Sequence, residues 1–269
     1  MLDALLQAIP LAVVASVPLL LAVQGELVVQ RSGIINLGLE GMLLAGAFGA
    51  ALGGVAGGIA GAVIVALIFG WLVIVLGADQ IVTGTAINLL VLGITGFAWR
   101  ELSVAQPPRL ASDLITPFAW IIVPLILAVV LWNTTLGLRL RATGENAEAV
   151  RAAGVSTALH RWIALAIEAV LAGLGGAHLA LVLSSGFAEN MTAGRGYIAL
   201  AVVIFGRWNV RGALLGSAIF GLAVAFQYAL QAANKGVPYH LLLAAPYVVT
   251  LLLLFGVAGK VRAPEGLGR

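Results

Sequence analysis

Nearly the whole chain is a succession of apolar stretches about as long as a bilayer is thick, separated by short polar connections. A helix needs about 20 apolar residues to cross the hydrocarbon core. At that length the sequence predicts nine spans, at 4–24, 36–54, 57–77, 83–99, 118–135, 161–184, 196–207, 211–231 and 240–259. The composition agrees, since only 9% of the residues are charged, against about 25% in soluble domains. We therefore expect an all-α polytopic membrane protein, with eight to ten spans in one transmembrane domain over 1–269.

The seventh predicted span, 196–207, is too short to cross a bilayer unaided. It runs into the next span through the polar string "FGRWNVRG". Irregular backbone at membrane depth is tolerated only where protein or a water-filled cavity covers it. This region is therefore predicted to be a short or broken helix near a pathway.

Small residues recur at helix-packing spacing. They occupy every fourth position in one series, which comprises Gly41, Ala45, Gly49, Gly53, Gly57 and Gly61. A second series is Ala169, Gly173 and Ala177. Small residues at this spacing allow close approach of helix backbones in lipid. The string "GGVAGG" (53–58) is also predicted to contain the turn between the second and third spans.

The distribution of Lys and Arg predicts the orientation, because cytoplasmic loops carry an excess of both. Placing loop 136–160 in the cytoplasm puts 10 of the 14 basic residues inside and 4 outside. With nine spans, the C-terminus is then cytoplasmic and the N-terminus extracytoplasmic.

Several function classes lack their sequence signatures. The phosphate-loop pattern G-x-x-x-x-G-K-[ST] is absent, and "GVAGKV" (256–261) lacks both its spacing and its hydroxyl. There are no cysteines, and the three histidines are scattered, so we expect no metal site and no cofactor. A net charge of +3, with Arg at loop ends, gives no nucleic-acid surface. The chain is predicted to be a conduit and not an enzyme.

Polar side chains inside the predicted spans are costly in lipid and usually face a cavity or a partner. Amides suit a solute path because each offers both a donor and an acceptor. The predicted path residues are Asn36, Asn88, Asn190, Gln227 and Tyr228. Glu40 and Glu168 are predicted to be structural or gating groups. Glu40 is expected to accept N–H bonds from a broken helix or to pair with an Arg, and Glu168 to bond between helices.

The string "RSGIINLGLEGM" (31–42) places Asn36 and Glu40 four residues apart. On a continuous helix they lie one turn apart on one face. We expect Glu40 there to act as a fixed polar brace or as part of an inner gate.

The longest polar stretch is "GLRLRATGENAEAVRAAGVSTALHR" (137–161). A short helix is predicted within it, capped by Asn146, with Glu148 in its first turn and Gly154 as its stop. Such a helix between two spans is able to dock in a groove of another protein. An ordinary solvated loop is the alternative.

Four of these strings resemble those of one family. "GENAEAVRAAGV" (144–155) is similar to the coupling-helix segment of ATP-binding-cassette (ABC) importer permeases. "RSGIINLGLEGMLLAGA" (31–47), "DQIVTGTAINLL" (79–90) and "ENMTAGRGYIALAVVIFGRWNVRGALLGSAIFGL" (189–222) resemble blocks of the nucleoside and simple-sugar permeases, which are related to the branched-chain amino acid permeases. The resemblance covers most of 20–258 in the same block order, and it is strongest to the nucleoside-type permeases.

The resemblance implies a transmembrane subunit of a nucleoside importer in the bacterial plasma membrane. Its implied partners are an ABC ATPase that binds the ATP, a second and different permease, an extracellular or periplasmic substrate-binding protein and the lipid bilayer. The implied ATPase-coupling residues are Gly144, Glu145, Asn146, Glu148, Ala149, Arg151 and Gly154. Ribose-like sugars and riboflavin-like heterocycles are alternative substrates. A stand-alone proton-coupled transporter using Glu40, Glu168 and His178 is an alternative class, and so is a membrane scaffold without a conduit.

Overall fold

The computed structural model describes residues 2–102, 110, 113–184, 186–232, 244, 248 and 262–268, without the side chains of 2–8 and 228–232. Throughout these ranges the regular structure is helical, which confirms the all-α class. The helices are α1 (Leu2–Arg31), α2 (Leu39–Gly70), α3 (Gln80–Glu101), α4 (Ile115–Asn133), α5 (Thr135–Glu145), α6 (Ala147–Ala152), α7 (Thr157–His178), α8 (Arg195–Phe205) and α9 (Val210–Ala232). Wider π-type turns extend α2 over Trp71–Val75 and α7 over Leu179–Leu183.

Six helices in the described ranges are long and apolar enough to cross a bilayer, with α2 and its extension taken as one. The predicted seventh span corresponds to α8, which has only 11 residues. The predicted ninth span, 240–259, falls almost entirely outside the described residues. The total of nine spans stays a prediction.

Helix α2 is bent into two antiparallel arms. Its backbone leaves helical geometry at Gly53 (φ −140°, ψ 26°) and Gly54 (φ 63°, ψ −156°), and a positive φ of this kind favours glycine. Beyond the bend, Gly57 packs against Gly49, and Gly61 against the carbonyl of Ala45. The turn predicted within 53–58 is therefore confirmed, and the two arms correspond to the predicted second and third spans.

Helix α7 packs into the angle between these two arms. A Cβ on Gly173 would lie 2.6 Å from the Ile59 Cα, and one on Gly46 would lie 3.1 Å from the Gly173 Cα. Gly176 contacts the backbone of Leu43 and Ala47. Helix α1 also packs against α7, and it contacts α8 and α9. Because glycine has no side chain, these positions let the backbones of α7 and of both arms of α2 approach closely, as predicted for the small-residue series.

Helices α8 and α9 are separated by a break at Gly206–Asn209. Arg207 (φ 54°) and Trp208 (φ 51°) both adopt left-handed backbone there. Arg31 donates from Nε and Nη2 to the Trp208 carbonyl at 3.0 and 2.6 Å, and Trp208 Nε1 donates to Gln30 Oε1 at 2.6 Å. The predicted helix break is confirmed, and the end of α1 braces it.

Two sequence predictions near the end of α1 are wrong. The first helix does not end at residue 24 but continues to Arg31, with Gln24, Glu26 and Gln30 buried. The next helix begins at Leu39, so Asn36 lies in the preceding turn and does not share a helix face with Glu40. The reason is tertiary: Asn36 bonds to Glu26 and Glu168 instead of continuing a helix.

A C-terminal segment, 262–268, lies against the polar loop at one end of the bundle. Gly266 N donates to the Gly144 carbonyl at 2.8 Å, and Gly268 N donates to the Gly33 carbonyl at 3.0 Å. Nearby, the guanidinium of Arg141 lies 4.3 Å from the Trp132 ring centre. Arg31 also lies over the Trp132 ring, and Arg161 lies beside Gly33, so this end gathers three of the basic residues that the orientation prediction assigned to the cytoplasm. The orientation itself stays a prediction.

Candidate functional site

A cavity of about 250 Å³ lies where the start of α2, the middle of α3 and the start of α8 meet. It is lined by Glu40, Gly41, Leu44, Asn88, Leu89, Leu92, Asn190, Gly194 and Tyr197. Three residues singled out from the sequence, Glu40, Asn88 and Asn190, therefore come together here. Most small-molecule pockets measure about 300–1,000 Å³, so this chain alone encloses only a small site.

Glu40 joins the first turn of α2 to the first turn of α8. Its Oε1 accepts from Thr192 Oγ1 at 2.6 Å and from Gly194 N at 2.8 Å, and its Oε2 accepts from Gly196 N at 2.6 Å. The first N–H groups of a helix have no partner within it, and they favour negative charge. The buried carboxylate thus caps α8 from a different helix. The sequence predicts that Glu40 accepts N–H bonds from a broken helix, and these bonds are of that kind.

Asn88 makes a parallel connection from α3. Its Oδ1 accepts from Gly41 N at 2.8 Å, and its Nδ2 donates to the Leu37 carbonyl at 2.7 Å and to the Tyr197 hydroxyl at 2.8 Å. Both amide protons and one oxygen lone pair are therefore engaged within the protein. The bond to Tyr197 orients an aromatic ring that is 45% exposed at the wall of the cavity.

The loop before α8 is held in an unusual conformation. Asn190 (φ 55°), Ala193 (φ 47°) and Gly194 (φ 79°) all have left-handed backbone. Immediately before Asn190, Glu189 accepts from Arg100 through both carboxylate oxygens, at 2.7 and 2.6 Å. The hydrogen bond from Arg100 lowers the pKa of Glu189 below its ordinary value. Asn190 is thus presented at the cavity by a loop anchored on both sides.

The other predicted site residues lie elsewhere. Asn36 and Glu168 are fully buried and joined by a 2.6 Å bond from Asn36 Nδ2, so Glu168 of α7 bonds to the turn that precedes α2. Gln227 is buried on α9 and does not line the cavity. The backbone of Tyr228 lies in α9, and its side chain falls outside the described residues.

His178 is separate from Glu168, as its position ten residues along the chain predicted. Its Nε2 lies 3.1 Å from Thr116 Oγ1 and 3.4 Å from Asp113 Oδ2. His178 therefore belongs to a contact between α4 and the end of α7, and it does not extend the polar cluster around Asn36.

The short helix in the polar loop is α6, which has six residues. Asn146 Oδ1 accepts from Ala149 N at 3.0 Å, and Gly154 (φ 76°) follows the end of the helix. The predicted cap and stop are therefore confirmed. Val150 is buried as an anchor, whereas Glu145, Glu148, Ala149 and Arg151 are exposed. Helix α6 presents a small polar face at the end of the bundle that also holds the C-terminal segment.

Residues 7–258 match the family described as the permease component of branched-chain amino acid transport systems. The chain belongs to this family. The match includes the two broken helices, the cavity and α6, so the site described above lies within the permease domain. The predicted family is thereby confirmed, and the protein is a multi-pass membrane protein.

Individual relatives extend over nearly the whole chain. A nucleoside ABC transporter permease protein, NupC of Lactococcus lactis, is 31% identical over 94% of this chain and 92% of its own. A guanosine ABC transporter permease protein, NupQ of Bacillus subtilis, is 31% identical over 97% and 94%. A putative glucose ABC transporter permease protein, TsgC13 of Haloferax volcanii, is 32% identical over 88% and 83%. No solved structure matches the chain.

Two buried side chains, Thr192 and Glu26, make contacts that the local sequence does not predict. Thr192 carries no signal as a lone Thr in a loop until its bond to Glu40 is known. Glu26 follows the predicted first span, so its burial is unexpected. A helical spacing of four between Glu26 and Gln30 is the available signal, since it predicts a bond along one face.

Proposed function

We propose that this chain is a transmembrane subunit of an ABC importer for nucleosides, in the bacterial plasma membrane. The observation that carries the proposal is the pair of full-length similarities to NupC and NupQ, both named as nucleoside or guanosine permeases. A separate ATPase supplies the energy, as expected for the permease component of an ABC transporter. A substrate-binding protein delivers the nucleoside to the face opposite α6.

The substrate path passes the cavity between α2, α3 and α8. Tyr197 offers a ring face for stacking on a nucleobase, and Asn190 offers an amide for hydroxyls or base edges. Asn88 and Glu40 act indirectly, because their hydrogen bonds hold the two helix starts that form the wall. A site with few contacts suits a transporter, which must release its solute.

The small volume of the cavity supports a shared path. At about 250 Å³, it is smaller than the usual small-molecule pocket, which supports a site completed by a second permease subunit, different from this one. The Lactococcus lactis NupB permease is also similar to this chain, at 23% identity. Two different nucleoside permeases of that organism are thus similar to this chain, which supports a heteromeric pair.

Helix α6 is the contact with the ATPase. Its exposed residues and buried Val150 anchor form a projecting element between α5 and α7. Movement of α6 as a body would shift α7, which packs on both arms of α2 next to the path. In this arrangement α6 and the C-terminus face the cytoplasm, and nine spans place the N-terminus outside.

Substitution of Ala149 by Arg is expected to abolish uptake without unfolding the permease. Ala149 is exposed on α6, so a bulky charged side chain is tolerated by the fold but obstructs docking. The measurement is co-purification of the ATPase together with ATP-dependent uptake. Leu102→Arg, at an exposed position just after the end of α3, is the control and should have little effect. Normal assembly and uptake by Ala149→Arg would contradict the coupling role.

Substrate class is tested by uptake into proteoliposomes that contain both permeases, the ATPase and the binding protein. We expect ATP-dependent uptake of labelled guanosine. Unlabelled nucleosides should reduce this uptake by competition, whereas glucose should leave it unchanged. The second candidate substrate is a hexose, favoured by the similarity to TsgC13, and competition by glucose would support it. Uptake by this chain alone under a pH gradient would instead establish a proton-coupled transporter.

A further inference from the structure

Two buried carboxyl groups, Glu26 of α1 and Glu168 of α7, form a cluster away from the cavity. Both are 0% exposed. One oxygen of each has a clear donor: Glu26 Oε1 accepts from Gln30 Nε2 at 2.8 Å and from Asn36 N at 3.3 Å, and Glu168 Oε2 accepts from Asn36 Nδ2 at 2.6 Å. Asn36 thus bonds to both acids.

The second oxygens, Glu26 Oε2 and Glu168 Oε1, are buried and have no donor among the described residues. Both carboxyl groups bond to the same residue, Asn36, and a Cβ added to Gly25, the neighbour of Glu26, would lie 3.0 Å from the Glu168 Cα, so the two acids lie side by side. An ionised carboxylate is only an acceptor, so two ionised groups placed side by side repel and cannot bond. A proton on either one converts the contact into a short O–H···O⁻ bond.

The charged groups on the surrounding helices face other partners. Arg31 donates to the Trp208 carbonyl, His178 contacts Asp113, and Glu40 accepts from α8 and its preceding loop. Arg161, on α7, lies beside Gly33. Arg141, on α5, lies over Trp132, and Arg195, on α8, donates to the carbonyls of Met191 and Thr192. Among the described residues, these contacts of the charged groups thus lie elsewhere, and a proton shared between Glu26 and Glu168 is what removes the repulsion between them.

We propose that Glu26 and Glu168 form a proton-binding site, in which one carboxyl donates to the other, and that the proton is retained throughout transport. The site holds Asn36 and hence the turn that leads into α2. Three residues after Asn36, α2 begins and carries Glu40 and Gly41 into the junction with α8 and α3. The retained proton thus fixes one wall of the path from behind.

The test uses the assembled importer in lipid nanodiscs and compares Glu26→Gln, Glu168→Gln and Glu189→Gln. At neutral pH, the infrared spectrum of the unmodified importer should contain a carbonyl band of a protonated carboxylic acid. The difference spectra between the unmodified importer and each of Glu26→Gln and Glu168→Gln should show that this band is lost. Glu189→Gln should leave this band unchanged, because Glu189 is bonded to Arg100 and ionised. Absence of such a band in the unmodified protein would overturn the proposal.

Stability and uptake provide independent readouts. Glutamine retains an N–H donor of similar shape, so Glu26→Gln should keep the melting temperature and uptake close to those of the unmodified importer. Glu26→Ala should lower the melting temperature, because it leaves Gln30 and Asn36 without their acceptor. A Glu26→Gln variant that folds but has no uptake would show that the proton moves during transport. A melting temperature that is higher in sodium chloride than in choline chloride would show that a metal cation occupies the site. Either result would overturn the retained-proton site.

Discussion

Substitution of Glu40 by Ala is expected to destabilise the permease strongly and to abolish uptake. The change removes the common acceptor of Thr192 Oγ1, Gly194 N and Gly196 N. Each buried donor left without a partner costs about 1–3 kcal/mol, so the expected total is about 3 kcal/mol or more. The start of α8 would lose its cap, and with it the wall that carries Tyr197 and Asn190.

The measurement for Glu40 is thermal unfolding of the purified importer together with guanosine uptake. Glu40→Gln should show a smaller loss, because the amide keeps one acceptor oxygen but turns an NH₂ group towards the donors. Glu101→Ala removes an exposed acid at the end of α3 and should change stability by about 0.5 kcal/mol or less. A Glu40→Ala variant with the melting temperature of the unmodified protein would show that Glu40 is not a brace.

Addition of a single methyl group at Gly173 is expected to disrupt the centre of the bundle. A Cβ at this position would lie 2.6 Å from the Ile59 Cα and 2.8 Å from the Gly58 carbonyl oxygen. Both contacts are with backbone, so neither can be relieved by a side-chain rotation, and α7 must move away from the α2 hairpin. Overpacking of this kind costs about 1–3 kcal/mol or more.

Gly93→Ala is the matched control for Gly173→Ala. Gly93 is also a glycine within a long helix, but a Cβ added there would have no neighbour within 4 Å. Because alanine favours helix over glycine by about 1 kcal/mol, Gly93→Ala should leave the melting temperature unchanged or raise it. Equal melting temperatures for the two variants would contradict the close contact between α7 and α2.

Local chemistry made several features predictable. Glycine every four residues indicated close helix packing, and a paired glycine at its centre indicated the bend at Gly53–Gly54. Asn146 and Gly154 marked the ends of α6, because capping depends on residues only a few positions apart. The chemistry of Glu40 also narrowed its possible roles, since a carboxylate in an apolar segment requires donors.

The remaining features depend on contacts between distant parts of the chain. Asn36 bonds to Glu168, 132 residues away, and this contact outweighs the tendency of the apolar sequence around it to continue as a helix. Hydropathy placed the end of α1 too early, because Gln24, Glu26 and Gln30 lower the average although all three are buried. The bond from Asn88 to Tyr197 spans 109 residues, so no local pattern could assign both side chains to one cavity.

The cavity between α2, α3 and α8 is central to the proposed nucleoside path. The chain contains no cysteine, so single cysteines provide a clean measure of water and substrate access. Leu92 lines the cavity. Ile94 is exposed two residues further along α3 and lies outside the cavity lining, so it tests a different helix face at similar depth.

The decisive measurement is labelling of Leu92→Cys and Ile94→Cys by a hydrophilic maleimide in the assembled importer, with and without guanosine and ATP. We expect Leu92→Cys to be labelled and guanosine to slow its labelling, whereas Ile94→Cys faces lipid and stays unlabelled. No labelling at Leu92→Cys, or labelling that guanosine leaves unchanged while uptake proceeds, would contradict a nucleoside path through this cavity.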